Sequence, residues 1–160
     1  MAKAIAFVTY NTVGDGLSSG WHGSGDRRAF VVQNSTGRRW GASTDPVRPG
    51  ANTDANAGRV MDEIDTLWGQ LQQALSELDH VVVYVGDRGS EVAIDLAAKL
   101  PASKVTFVLC SCNRYSKVAM IQRAGLTDAR LIGCECGGHG TMGRLFRSFM
   151  ASGDLGLGPA

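Results

Sequence analysis

His80-Val-Val-Val-Tyr-Val85 runs directly into Gly86-Asp-Arg-Gly-Ser-Glu91, and this junction decides how the chain is read. A continuous apolar, β-branched run is the pattern of a strand buried on both faces, as in a parallel sheet. The polar, glycine-containing turn then leads into a helical pattern, Glu91 to Leu100, which places Ile94, Ala97 and Leu100 on one side with Ser90 as its N-cap. The same strand–turn–helix unit recurs downstream. Val105 to Cys110 and Ala129 to Cys134 read as strands. Ser116 to Ala124 reads as a helix ended by Gly125, and Met142 to Met150 as a helix carrying Leu145, Phe146, Phe149 and Met150.

Upstream, Val60, Ile64, Leu67, Leu71, Leu75 and Leu78 recur every three or four residues, which predicts a long helix from Ala57 to Leu78. Ala4 to Tyr10 is a first strand. Asn11 to Asp26 holds five glycines and reads as a mobile loop. Ala29 to Gln33 and Arg38 to Ala42 flank Asn34-Ser-Thr-Gly37 and read as a β-hairpin. Alternating strands and helices imply a three-layer, Rossmann-like α/β fold with a mostly parallel sheet and an N-terminal β-hairpin extension. One α/β domain over residues 1–151 and a flexible tail over 152–160 are expected.

The chain has 160 residues, 44% of them apolar and 19% charged, enough to build one core. Its 16 basic and 15 acidic residues leave a net charge of +1, which excludes a polybasic coat for nucleic acid or membrane while permitting a local basic patch. No apolar run reaches the ~18 residues of a membrane span. Four cysteines in two close pairs do not form the scattered framework of a secreted miniprotein, so a cytoplasmic location with reduced thiols is expected.

In an open parallel sheet, ligands bind beyond the carboxyl ends of the strands. Three turns would meet there: Gly86 to Glu91, Cys110 to Ser116, and Cys134 to Arg144. The third contains Gly138-His-Gly140-Thr-Met-Gly143, a G-x-G-x-x-G pattern between a strand and a helix. Backbone N–H groups and a helix amino terminus would there face a phosphate, with Gly138, Gly140, Thr141 and Arg144 as its cradle. No later strand supplies the acidic residue that holds a ribose, so a simpler phosphate site fits better than a dinucleotide site. Arg88 and Arg114 add phosphate-binding charge. Asp87, Glu91 and Asp62 are the candidate catalytic carboxylates, and could hold magnesium.

Cys110, Cys112, Cys134 and Cys136, with His139 nearby, supply the donors of a zinc site or an iron–sulfur cluster if the strand ends curl into their turns. On straight strands, residues two apart lie about 6.5 Å from each other, and C-x-C is a poor chelate. Cys110 and Cys134 on neighbouring strands would instead lie within disulfide reach. Four small buried hydrophobes are the plainest alternative.

Val82-Val-Tyr-Val-Gly-Asp87, Arg130-Leu-Ile-Gly-Cys134 and Ala6-Phe-Val-Thr-Tyr-Asn11 resemble strands of the NYN domains of the PIN-like nuclease superfamily. In that family a hydrophobic strand ends in Ser-Gly-Asp-x-Asp-Phe. The resemblance implies a nuclease-like fold whose carboxylates hold a divalent metal. Thr9 and Gly89 stand where the family has aspartates, so what it implies here is a degenerate, binding-only relative. The expected function is therefore binding of a phosphate-bearing ligand, nucleic acid or nucleotide. A thiolate metal or redox protein is the first alternative. A non-catalytic subunit, completed by a homo-oligomer or another assembly partner, is the second.

Overall fold

The computed structural model describes residues 3–9, 17–33, 69–85, 94, 97–110, 114–134 and 139–157. Among them are six strands in one sheet: β1 (Lys3–Val8), β2 (Gly20–Ser24), β3 (Arg27–Val32), β4 (His80–Val85), β5 (Val105–Cys110) and β6 (Arg130–Cys134). Helices accompany them: α1 (residues 69–74), α2 (Arg114–Arg123) and α3 (His139–Ser152), with Ile94 and Ala97 also helical between β4 and β5. The fold is α/β with a mixed sheet.

Across the sheet the strands run β2-β3-β1-β4-β5-β6. β1 is parallel to both β3 and β4, and β4–β5 and β5–β6 are parallel, while β2 pairs antiparallel with β3. The central strands are those with continuous apolar runs. Ala4, Ala6 and Val8 of β1 join Val81, Val83 and Val85 of β4 in one buried cluster, and Ile5, Phe7, Val82 and Tyr84 join the other. This is the period-two alternation of a strand covered on both sides. The first cluster includes Leu71 of α1, Ile121 of α2, and the helical Ile94 and Ala97 from between β4 and β5; the second includes Met142, Leu145, Phe146 and Phe149 of α3. Phe7 meets the edge of the Phe146 ring at 5.5 Å, and Phe149 lies 6.1 Å from it. Such contacts add about 0.5–1.5 kcal/mol per pair beyond the burial itself.

The hairpin is where the sequence reading is corrected. The two hairpin strands are β2 and β3, not 29–33 and 38–42, and the latter segment lies outside the described residues. Gly20 to Ser24, expected within a mobile loop, is an edge strand. Its residues lack apolar alternation because only β3 pairs with it, and most of them stay exposed. Ser24 pairs with Arg27 across a two-residue turn whose first residue, Gly25, has φ +68°, the conformation that glycine supplies in tight hairpins. The hairpin is not an extension either, because β3 lies between β2 and β1 inside the sheet.

The downstream units agree closely with the sequence pattern. β4 and β5 have the expected limits, β6 begins one residue later than expected, and α2 gives way to Gly125, with φ +80°. α3 is longer than the apolar pattern alone indicated, starting at His139 and ending at Ser152. Residues 57–68 of the expected long helix lie outside the described residues, and its remaining part tightens into a 3₁₀ turn at Leu75–Glu77.

Candidate functional site

The parallel register decides which chain segments share an edge. Val85 of β4 is paired with Leu109 of β5, and Cys110 of β5 with Cys134 of β6. The three turns singled out from the sequence therefore leave the sheet from one edge, the carboxyl edge. α2 then begins at Arg114 and α3 at His139, so both helices start from that edge. They proceed to opposite faces, since Ile121 belongs to one buried cluster and Met142 to the other. Arg114 thus opens one of the helices that flank the sheet from either side, and Arg144 stands one turn inside the other. Arg144 is exposed, Thr141 is half-buried, and a Cβ added to Gly140 would meet nothing within 4 Å.

Asp62, Asp87, Arg88, Glu91, Cys112, Cys136 and Gly138 lie outside the described residues. Of the expected sulfur ligands, Cys110 and Cys134 are placed, as directly paired positions at the ends of β5 and β6. Among the described residues no group of three or more His, Cys, Asp or Glu could hold a metal ion, and no helix is long and apolar enough to cross a membrane.

The opposite, amino edge carries a cleft of about 660 Å³ that motif reading did not point to. Its floor comes from strand starts: Lys3 and Ile5 of β1, His80 of β4, Thr106 of β5 and Arg130 of β6. Thr106 and Arg130 are register partners, and Ile5 is paired with His80. Asp79, Ser103 and Asp128 contribute from the segments before β4, β5 and β6, and Gly153, Asp154, Leu155 and Leu157 wall the cleft from beyond α3.

Hydrogen bonds fix most of this frame. His80 Nε2 lies 2.7 Å from Thr106 Oγ1, and Thr106 is fully buried. The backbone N–H of Ala4 donates to Asp79 Oδ2 at 2.9 Å, while the N–H of Asp79 donates to the Ala4 carbonyl at 2.8 Å, pinning β4 to β1. Lys3 Nζ donates to the carbonyl of Gly153. Desolvation of the ring, followed by the positive charge of Arg130, holds the pKa of His80 down to about 4, against an ordinary 6.5. At neutral pH the ring is uncharged.

β2 supplies a third surface feature. Trp21 is 41% exposed, with the Arg28 guanidinium 4.8 Å from its ring centre and Phe30 edge-on at 5.0 Å. Trp21 and Arg28 thus form a stacked pair on the edge hairpin, with Arg27 turned away to donate to the Met150 carbonyl of α3.

Comparison with protein-family models, with characterised proteins and with solved structures returned no match to this chain.

Proposed function

We propose that the protein binds a phosphate-bearing ligand, a nucleic acid or a nucleotide, at the carboxyl edge of its sheet. The observation that carries this reading is the reversal of strand order at β1. From β1 the chain adds β3 on one side and then returns past it to add β4 on the other, giving β3-β1-β4-β5-β6. In three-layer, doubly wound sheets of Rossmann-like type, such a reversal opens a crevice outside the carboxyl ends of the two strands beside it. Here those are β1 and β4.

The helix starts fit an anion. Neither α2 nor α3 has an acidic residue in its first turn. The N–H groups and dipole of each amino terminus therefore meet no carboxylate within that first turn. Arg114 adds positive charge at the start of α2, and Arg144 one turn inside α3. Arg88, and the carboxylates Asp87, Glu91 and Asp62 with any magnesium they hold, belong to this reading as proposed partners. The activity proposed is binding.

The test is affinity for a short single-stranded oligonucleotide against a nucleoside triphosphate, each measured over a range of salt. Binding should weaken steeply with salt, and Arg114→Ala with Arg144→Ala should lower the log–log salt slope by about one per lost phosphate contact. Unchanged affinity in the double variant contradicts the reading. Preference for the oligonucleotide or for the triphosphate distinguishes the two ligand classes.

One observation favours a second reading, a thiolate metal or redox function. Cys110 and Cys134 are paired positions on adjacent strands, a backbone spacing compatible with a disulfide. Stoichiometric zinc or iron in protein purified without oxygen supports a metal site. Metal-free protein with no disulfide between these two cysteines under mild peroxide excludes both forms.

A further inference from the structure

α3 runs from the carboxyl edge to the amino edge, where its end is anchored to two strand starts. Arg27 of β3 donates to the Met150 carbonyl at 2.8 Å, and Lys3 of β1 donates to the Gly153 carbonyl at 3.2 Å. The N–H of Gly153 closes the helix by donating to the Phe149 carbonyl at 2.7 Å, with φ +77° at that glycine. The chain then stays on the sheet. Leu155 and Leu157 are half-buried against the α3-side core, and with Ile5 and His80 they line the amino-edge cleft.

Residues 153–157 are held differently from the core beneath them. They belong to no strand or helix. Ser148 Oγ donates to the Asp154 carbonyl at 2.8 Å, the Asp154 N–H to Ser152 Oγ at 3.2 Å, and the Gly156 N–H to Asp154 Oδ1 at 3.0 Å. All three bonds, and that of Lys3, are exposed, so water can replace them with little net loss. The closed position is nevertheless specific. Gly156, at φ +72°, lies so close to α3 that an added Cβ would come within 2.9 Å of Ser148 Oγ. What holds the segment down is chiefly the partial burial of two leucines. A stretch with few buried contacts and exposed backbone bonds opens at a free energy well below that of global unfolding.

We infer that residues 153–157 are a releasable strap that closes the amino-edge cleft and opens it by local unfolding, while the sheet and α3 stay folded. When the strap is closed, Leu155 and Leu157 are the cleft's own apolar occupants. When it opens, Ile5 and the floor at His80 and Thr106 become accessible to an uncharged apolar ligand of similar bulk. The inference is independent of the phosphate site at the carboxyl edge and calls on no free charge in the cleft.

The test compares the full chain with its double variant Leu155→Ser, Leu157→Ser, using N-phenyl-1-naphthylamine as an uncharged apolar dye. The closed strap lowers apparent affinity in the unsubstituted chain, so the variant should bind the dye saturably and about tenfold more tightly. A blocked peptide of residues 153–157 should displace the dye, and the same peptide with both leucines replaced by serine should not. The imidazole of His80 gives a second readout: its titration midpoint should rise from about 4 toward the ordinary 6.5 in the variant, as water reaches the ring. The charged groups lining the cleft are Lys3, Asp79, Asp128, Arg130 and Asp154. Only Asp154 is on the strap, and moving a carboxylate away would lower the midpoint, so a rise reports hydration. In the unsubstituted chain, the N–H groups of Gly153 and Gly156 should lose exchange protection at denaturant concentrations that leave β4 and β5 protected. If the double variant does not fold, this exchange measurement decides. The inference is overturned if dye binding and the His80 midpoint are the same in both chains, or if the strap loses protection only together with β4 and β5.

Discussion

The two edges of this sheet are built from different kinds of residue. The carboxyl edge is where three polar, glycine- and cysteine-containing turns depart and two helices begin. The amino edge is where strands start, and its cleft is floored by single polar residues set into otherwise apolar strands. A motif advertises the first kind of site because its residues are neighbours in sequence. The second kind is assembled by register alone. Thr106 and Arg130 are 24 residues apart in the chain and face each other as paired positions. Chemistry at strand starts is thus invisible to motif reading and follows at once from strand pairing.

The largest perturbation should affect both edges together. Phe7 is fully buried between β1 and α3 and touches two other rings. Phe7→Ala should destabilise the fold by about 3–5 kcal/mol in denaturant unfolding, weakening ligand binding at either edge only through loss of folded protein. Loss at one edge without loss of stability would contradict a shared core.

The next effect should separate the edges. His80 has a folded pKa of about 4, below its ordinary 6.5, so between these values the unfolded chain binds more protons. Folding stability should therefore be full above about pH 6.5 and fall as the pH drops toward 4, by a total on the order of 3 kcal/mol. His80→Gln should flatten that part of the stability–pH curve. A curve unchanged by the substitution would show that His80 is not held neutral.

Smaller effects sharpen the contrast at the hairpin and the helix end. Trp21→Ala removes the Arg28 stack and the edge contact with Phe30 and should cost about 1 kcal/mol, with the tryptophan fluorescence change reporting the site. Gly125→Ala places a Cβ in open space but forces a left-handed conformation (φ +80°) at the end of α2. Roughly 1 kcal/mol of destabilisation is expected from the backbone alone. A neutral result would mean that α2 ends without using that conformation.

Much of the fold was legible because its central strands are buried on both sides. Val81 to Val85 and Val105 to Leu109 could only be read one way, and both have the expected limits. The hairpin was misread for the opposite reason. β2 contributes Gly20, Gly23 and Ser24 to an exposed edge, where pairing with β3 rather than side-chain pattern makes the strand. At the carboxyl edge, Cys110 beside Cys134 on neighbouring strands was one of the alternatives the sequence left open, and the register pairs them; both helices begin two or three residues before the apolar pattern that marked them. At the amino edge a histidine at a strand start and a threonine inside an apolar run each look unremarkable. The one available signal was the polarity of Thr106 within a strand otherwise committed to burial.

The central claim is that the carboxyl edge holds the phosphate-bearing ligand. His139, the first residue of α3, reports on that edge, while His22 and His80 report on the hairpin and the amino edge. Imidazole signals should be followed during titration with a short oligonucleotide at low and at high salt. The account predicts saturable movement of His139 that weakens steeply with salt, with His22 and His80 nearly still. Movement confined to His22 or His80, or no movement of His139 at ligand concentrations that saturate binding, would contradict it.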